Sequence, residues 1–296
     1  MSFEQTPSLE TEKYSSKIEL KFFRHDEKGK AGEGETDNEV LLTPAGRQHA
    51  KSQAELYDIS QAVAFGSPRL RAQETAGFTM AGNLENVTGE ETLEELKEKI
   101  DKGLGYGTKL ATDKRLDFNS NFATPYGQKA LGAFKSGRYL KFLVEESDRV
   151  AEETNDEESS TYNRQAGAIA SILKKYLSIS PRFDKLVKDE AKDYEKEMYR
   201  FFGTHQGVAE SFLIKVVEKM KGVGERNKLV SLLNQGFDYF EGFTVEVLTN
   251  NEQAEPVIKI NYSKKGAKSE DDFIFNEIIP KEIVDEIVIG DISANM

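Results

Sequence analysis

The chain carries three histidines, His25, His49 and His205, and no cysteine. Thiolate nucleophiles, disulfides and cysteine-ligated zinc are excluded, and three histidines leave little material for a histidine-rich metal site. What is left is imidazole, which near neutral pH can act as a nucleophile, a proton carrier or a hydrogen-bond donor. Two of the three histidines follow apolar stretches directly. His25 comes after Arg24 at the end of Ile18-Glu19-Leu20-Lys21-Phe22-Phe23, and His205 ends the run Met198-Tyr199-Arg200-Phe201-Phe202-Gly203-Thr204. His49 sits within a helical pattern and reads as structural.

The stretches before His25 and His205 have the alternating-to-apolar pattern of strands entering a buried sheet. Between them, Thr43-Pro44 supplies an N-cap hydroxyl and a proline suited to the first helical position, and apolar spacing at Ala50, Ala54, Leu56 and Tyr57 predicts a helix to about Asp58. Ala62-Val63-Ala64-Phe65 reads as a second strand, and Ser67-Pro68 as a second capped start, opening a helix through Arg71 to about Met80. The resulting β-α-β-α order predicts a largely parallel sheet. Ligands of open α/β sheets lie beyond the carboxyl ends of strands, so His25 and His205 are expected in one crevice.

Four short segments occur in a telling order: Arg24-His25 after the first strand, Leu42-Thr43-Pro44-Ala45-Gly46-Arg47, Ser67-Pro68-Arg69-Leu70-Arg71-Ala72-Gln73-Glu74-Thr75-Ala76, and Thr204-His205-Gln206-Gly207-Val208. Together they resemble the histidine phosphatase superfamily, also called phosphoglycerate mutase-like. The resemblance covers about residues 18–80 and 197–217. It implies a three-layer α/β/α fold with a central insertion capping the active site, no cofactor, no metal, and catalysis through a phosphohistidine on His25.

Physical chemistry gives those residues consistent roles. Arg24, Arg71 and His205 would supply fixed donors for the spread charge of a phosphoryl group, with Lys28 and Gln206 adding to the substrate-binding set. Nearby guanidiniums favour neutral imidazole, so one ring nitrogen of His25 can attack phosphorus while a neighbouring acceptor holds the other. Relatives carry a general acid in a Leu-x-Glu segment, which Leu93-Glu94-Glu95 matches, making Glu95 the expected acid and Glu94 its reserve; Glu27 and Asp26 are the other candidates. Asp26 departs from the family, which usually has Gly after the nucleophile. Its carboxylate would repel substrate unless turned away or paired. Arg69, about 200° round the helix from Arg71, is expected to face solvent, and Gly29, Gly32 and Gly34 to form a flexible loop near the pocket. Aromatic residues from Tyr106 to Tyr139 are expected to pack between cap helices.

By organisation, residues 1–16 read as a disordered tail, 17–81 and 197–296 as an α/β core with a C-terminal β-rich extension, and 82–196 as a mostly helical cap insertion. The extension contains a hairpin around Asn250-Asn251, and the insertion an apolar stripe at Tyr162, Ala166, Ile169, Leu173, Tyr176 and Leu177. With 40 Lys plus Arg against 52 Asp plus Glu, the net charge of −12 argues against nucleic-acid partners. The absence of a long apolar run argues against a membrane span and for a soluble, cytoplasmic protein. The expected activity is metal-independent hydrolysis of a small-molecule or peptide phosphomonoester. Its rivals are mutase-type phosphotransfer and a catalytically silent phosphate-binding scaffold.

Overall fold

The computed structural model describes residues 14–55, 59–104, 109–119, 121–192, 194–250, 255–268 and 271–292. Most of the expected tail, residues 1–13, lies outside them, and Ser16 already belongs to the first strand.

Seven strands form one sheet: β1 (Ser16–Arg24), β2 (Ala62–Gly66), β3 (Leu110–Thr112), β4 (Glu197–Thr204), β5 (Gly242–Thr249), β6 (Val257–Lys264) and β7 (Phe273–Ile279), in the order β3-β2-β4-β1-β5-β6-β7. The first four are mutually parallel, because helical crossovers join them. The last three are antiparallel, β5 to β1, β6 to β5 and β7 to β6. The C-terminal strands therefore continue the core sheet as a meander, and the sheet is parallel only on one side. Of the hairpin turn, Asn251 lies outside the described residues.

Helices cover both faces. On one lie α1 (Pro44–Ser52), α2 (Leu70–Ala81) and α3 (Leu93–Leu104), where Phe78, Leu96 and Ile100 pack with Phe23, Ala64 and Phe201. On the other lie α7 (Tyr162–Val187), α8 (Val208–Lys221) and α10 (Lys281–Ile292), packed on Ile18, Leu20, Phe22 and Phe202. Successive residues Phe201 and Phe202 point to opposite faces, as a strand buried on both sides requires. The whole predicted stripe on α7 is buried against this second face.

Residues 82–196 are thus divided. Strand β3 pairs with β2 and α7 belongs to a core layer, so these parts of the expected cap are built into the main body. What stands over the strand ends is α4 (Pro125–Lys135), α5 (Tyr139–Glu145) and α6 (Ser147–Glu153), which share a small apolar cluster of Tyr126, Ala130, Ala133, Phe142, Val150 and Ala151. Helix α9 (Val223–Leu233) follows α8 and meets α5. Among the described residues no helix is long and apolar enough to cross a membrane.

Local chemistry explains the starts of several helices. Thr43 and Thr124 each accept from a glycine N–H three residues on, at 3.0 Å, with proline in the next position. Helix α1 ends at Ser52, short of the expected Asp58; residues 56–58 lie outside the described set. Helix α2 begins at Leu70 and has no side-chain cap from Ser67. The Leu70 N–H donates instead to Asn38 O at 2.9 Å, which leaves the Ser67 hydroxyl free for another partner.

Two glycines set how closely α2 lies on the sheet. A Cβ on Gly203 would stand 2.2 Å from Ala72 O, and one on Gly66 would stand 2.5 Å from the Gln73 backbone. Only glycine permits that approach at the ends of β4 and β2, and it brings the first turn of α2 over the ends of these strands.

Candidate active site

The β1/β4 register pairs Arg24 with Thr204, and the next residues, His25 and His205, stand side by side beyond the carboxyl ends of the strands. His25 N–H donates to Thr204 O at 2.8 Å, the ring centroids are 5.2 Å apart, and the residues are 5% and 2% exposed. The expected shared crevice is present.

His25 Nδ1 lies 2.7 Å from Asp26 O. A carbonyl can only accept, so Nδ1 carries the proton and Nε2 keeps its lone pair. Arg71 Nε donates to that Nε2 at 3.2 Å. Burial, and then the charges of Arg71, Arg24 and Lys28, bring the His25 pKa down to about 3, against the opposing bond to Asp26. The ring is therefore neutral at physiological pH and already in the tautomer a nucleophile needs.

Around it stand the expected cations. Arg24 Nη1 donates to Phe237 O at 2.5 Å, its guanidinium lies 4.7 Å from the Tyr239 ring centroid, and its buried Nε has no partner among the described residues. Arg71 Nη2 and Lys28 Nζ each reach the Asp37 carboxylate at 2.8 Å. Gln206 lines the same cavity and donates to Gln235 O. His205 Nε2 lies 2.6 Å from Ser67 Oγ, which accepts from Arg69 N at 3.1 Å, while His205 Nδ1 is buried without a partner among the described residues. Burial, together with the fields of His25, Arg71, Arg69 and Lys28, holds His205 well below the usual imidazole range.

Asp26 does not face this pocket. Its Oδ2 lies 2.6 Å from His49 Nδ1, its Oδ1 accepts from Glu27 N at 2.7 Å, and its own N–H donates to Thr75 Oγ1 at 3.0 Å. The substitution of the usual glycine is thus absorbed by a partner from α1, and His49 is that partner. Glu27 is also directed elsewhere, accepting from Thr43 Oγ1 at 2.7 Å.

Glu95 is not brought to the site. It lies exposed in the first turn of α3, where it accepts from Thr92 N and Thr92 Oγ1 at 2.8 and 3.0 Å, and these bonds hold its carboxyl below the usual range. Thr92 and Glu95 form a capping box, so the Leu-x-Glu match marks a helix start. Glu94, its reserve, is exposed on the same turn.

Three residues enter the site that the sequence reading placed elsewhere or passed over. Arg69 precedes α2 with an extended backbone, so helical spacing from Arg71 does not apply to it. Its guanidinium bonds Asp37 and, at 2.7 Å, Asp117, and stacks 4.0 Å above Phe118. Asp37 comes from the glycine-containing loop, which is closed at its base by Gly29 N to Leu41 O at 2.9 Å. Burial opposes ionisation of Asp37, yet Lys28 and Arg71 hold its carboxyl well below the usual range. Asp117 Oδ1 lies 3.7 Å from His205 Nε2. The cap aromatics also differ from expectation, for Phe118, Phe122, Phe134 and Tyr139 line the cavity while Tyr126 packs inside the cap; Tyr106 lies outside the described residues.

No family model matches the chain, and no curated protein does. Among solved structures, it is similar to a mycobacterial glucosyl-3-phosphoglycerate phosphatase at 12% identity and a TM-score of 0.43, over 78% of this chain and 91% of that one. It is similar also to a phosphoserine phosphatase variant of Entamoeba histolytica in complex with phosphoserine, at 14% identity and a TM-score of 0.36, over 86% of this chain and 98% of that one. The four sequence segments, and the convergence of three of them on two buried histidines and two arginines, are what make this α/β chain resemble the histidine phosphatase superfamily.

Proposed function

We propose that the protein hydrolyses phosphomonoesters through a phosphohistidine on His25. The observation that carries this reading is the state of the His25 ring: buried, neutral, protonated on Nδ1 by its bond to Asp26 O, and flanked by the Arg71 and Arg24 guanidiniums. In the first step Nε2 bonds to phosphorus, the ester oxygen leaves with the bonding pair, and Arg24, Arg71 and His205 hold the equatorial oxygens. Water then attacks phosphorus, the P–Nε2 bond breaks back to imidazole, and inorganic phosphate departs.

The leaving oxygen needs a proton, and Asp37 is the carboxylate that lines the cavity among the described residues. In the resting site it occupies the cations that a phosphate dianion would take. Once phosphate draws Lys28, Arg69 and Arg71 to itself, Asp37 loses the pairs that keep it ionised and can carry that proton. The Asp26 carboxylate, which would repel substrate from within the pocket, is instead paired with His49.

The test is turnover of a phosphomonoester panel by purified protein without added metal, with trapping of labelled phosphate on protein. Wild type should acquire an acid-labile, alkali-stable label that His25→Ala lacks, and should release inorganic phosphate. Equal labelling of the two proteins overturns the assignment of His25, and transfer to a second hydroxyl in place of water identifies a mutase.

A further inference from the structure

The two ends of the catalytic cavity differ in chemistry. Its volume is about 540 Å³, within the range that takes a small molecule. At one end lie His25, His205, Arg24, Lys28, Asp37, Arg69 and Arg71. The walls are Phe118, Phe122, Ala130, Leu131, Phe134 and Tyr139. The change is abrupt: the Phe118 ring stands edge-on to His205 with centroids 5.3 Å apart, so the apolar wall begins at the phosphate site itself.

The wall is also open. Phe122 and Phe134 are 46% and 56% exposed, large aromatic faces left to water at the cavity mouth, with Phe134 set edge-on to Tyr139 at 6.1 Å. Apart from the tyrosine hydroxyl, these six side chains offer no polar group, and the amide of Gln206, the remaining lining residue, already donates to Gln235 O. Every lysine and arginine lining the cavity lies at the histidine end, where Lys28, Arg69 and Arg71 converge on the one anion Asp37. A second phosphate or a carboxylate on the substrate would lie against hydrocarbon with no counter-ion, and a sugar's hydroxyls would lie there largely unpaired, each at a desolvation cost. A hydrocarbon placed there would instead remove apolar surface from water on both partners.

We propose that the substrate is a phosphomonoester of an uncharged, apolar alcohol, its hydrocarbon lying along Phe118, Phe122, Leu131 and Phe134. The inference rests on the phosphatase reading above for its chemistry and on the cavity walls for its selectivity. Primary alkyl phosphates test it, because lengthening ethyl to butyl to hexyl changes burial while leaving-group acidity stays nearly constant. Each buried methylene should raise kcat/KM about fourfold. Hexyl phosphate should be preferred to glycerol phosphate and 3-phosphoglycerate, and Phe134→Ser and Leu131→Ser should each lower the hexyl-to-ethyl ratio about fivefold.

The same chain-length preference is read without turnover by calorimetric binding of hexylphosphonate and ethylphosphonate. A flat chain-length series with intact turnover, or a preference for 3-phosphoglycerate, overturns the inference and leaves the hydrolase standing. Length-dependent phosphonate binding by a protein that turns over no ester overturns the hydrolase and retains the ligand class. Equal binding of the two phosphonates by such a protein overturns both.

Discussion

The His25 ring is controlled less by its neighbours' identity than by which of their atoms face it. Asp26 is the clearest case, presenting its backbone carbonyl to His25 Nδ1 and its carboxylate to His49. Asp37 is the converse, a loop residue whose carboxylate enters the pocket and satisfies three cations. If it competes with phosphate for them, Asp37→Asn should tighten vanadate or phosphate binding about tenfold, since a charge-assisted bond of this kind contributes about 1.5–3 kcal/mol. Calorimetry with either anion measures this directly. Unchanged or weaker binding would show that Asp37 yields its cations without cost or helps to hold the anion. Neither role was legible in the sequence, because a loop aspartate among glycines has no periodicity that says where it points.

Helix α2 carries the arginine that touches His25, and its seat on the sheet depends on Gly66 and Gly203. Gly203→Ala should push the first turn of α2 off β4, because the added Cβ meets the Ala72 carbonyl at 2.2 Å. Overpacking of this kind costs about 1–3 kcal/mol, readable in urea unfolding, and vanadate affinity should fall with it as Arg71 withdraws from His25 Nε2. A destabilised variant with wild-type vanadate affinity would show that Arg71 is positioned by Asp37 alone. The element itself was legible from Ser67 to Ala76, but its start was not. Ser-Pro has the composition of a cap, yet the Asn38 carbonyl, distant in sequence, takes the Leu70 N–H and releases Ser67 to His205. The same two-residue difference turned Arg69 from a solvent-facing helical residue into part of the cationic end of the cavity.

Across the whole molecule, a chain of net charge −12 gathers four cations and two neutral histidines in one cavity. Keeping those imidazoles neutral makes stability depend on pH. His25 falls to about 3 in the fold, chiefly through burial, and His205 is likewise lowered. Unfolded, each titrates near 6.5, so between that value and the folded one the unfolded chain binds protons that the native chain does not. The stability contributed by neutral burial is full above pH 6.5 and is lost as pH falls below it, for His25 down to about 3, with a limiting slope of about 1.4 kcal/mol per pH unit for each histidine. Urea unfolding at pH 7, 6 and 5 should show this decline, with a shallower slope in His25→Asn. Equal slopes in the two proteins would mean that His25 is not held neutral. What the sequence determined by itself was the local part: strands entering a buried sheet, the proline-marked start of α1, the α7 stripe, and the motif residues Arg24, His25, Arg71 and His205, each written in a segment of a few consecutive residues. The tertiary structure alone decided the partners. Which carboxylates face the two histidines, whether the C-terminal strands stand apart or extend the sheet, and which aromatics line the cavity are set by contacts between segments tens to hundreds of residues apart. No local pattern encodes these, and Glu95, matched by spacing and placed by its own helix cap, shows the limit.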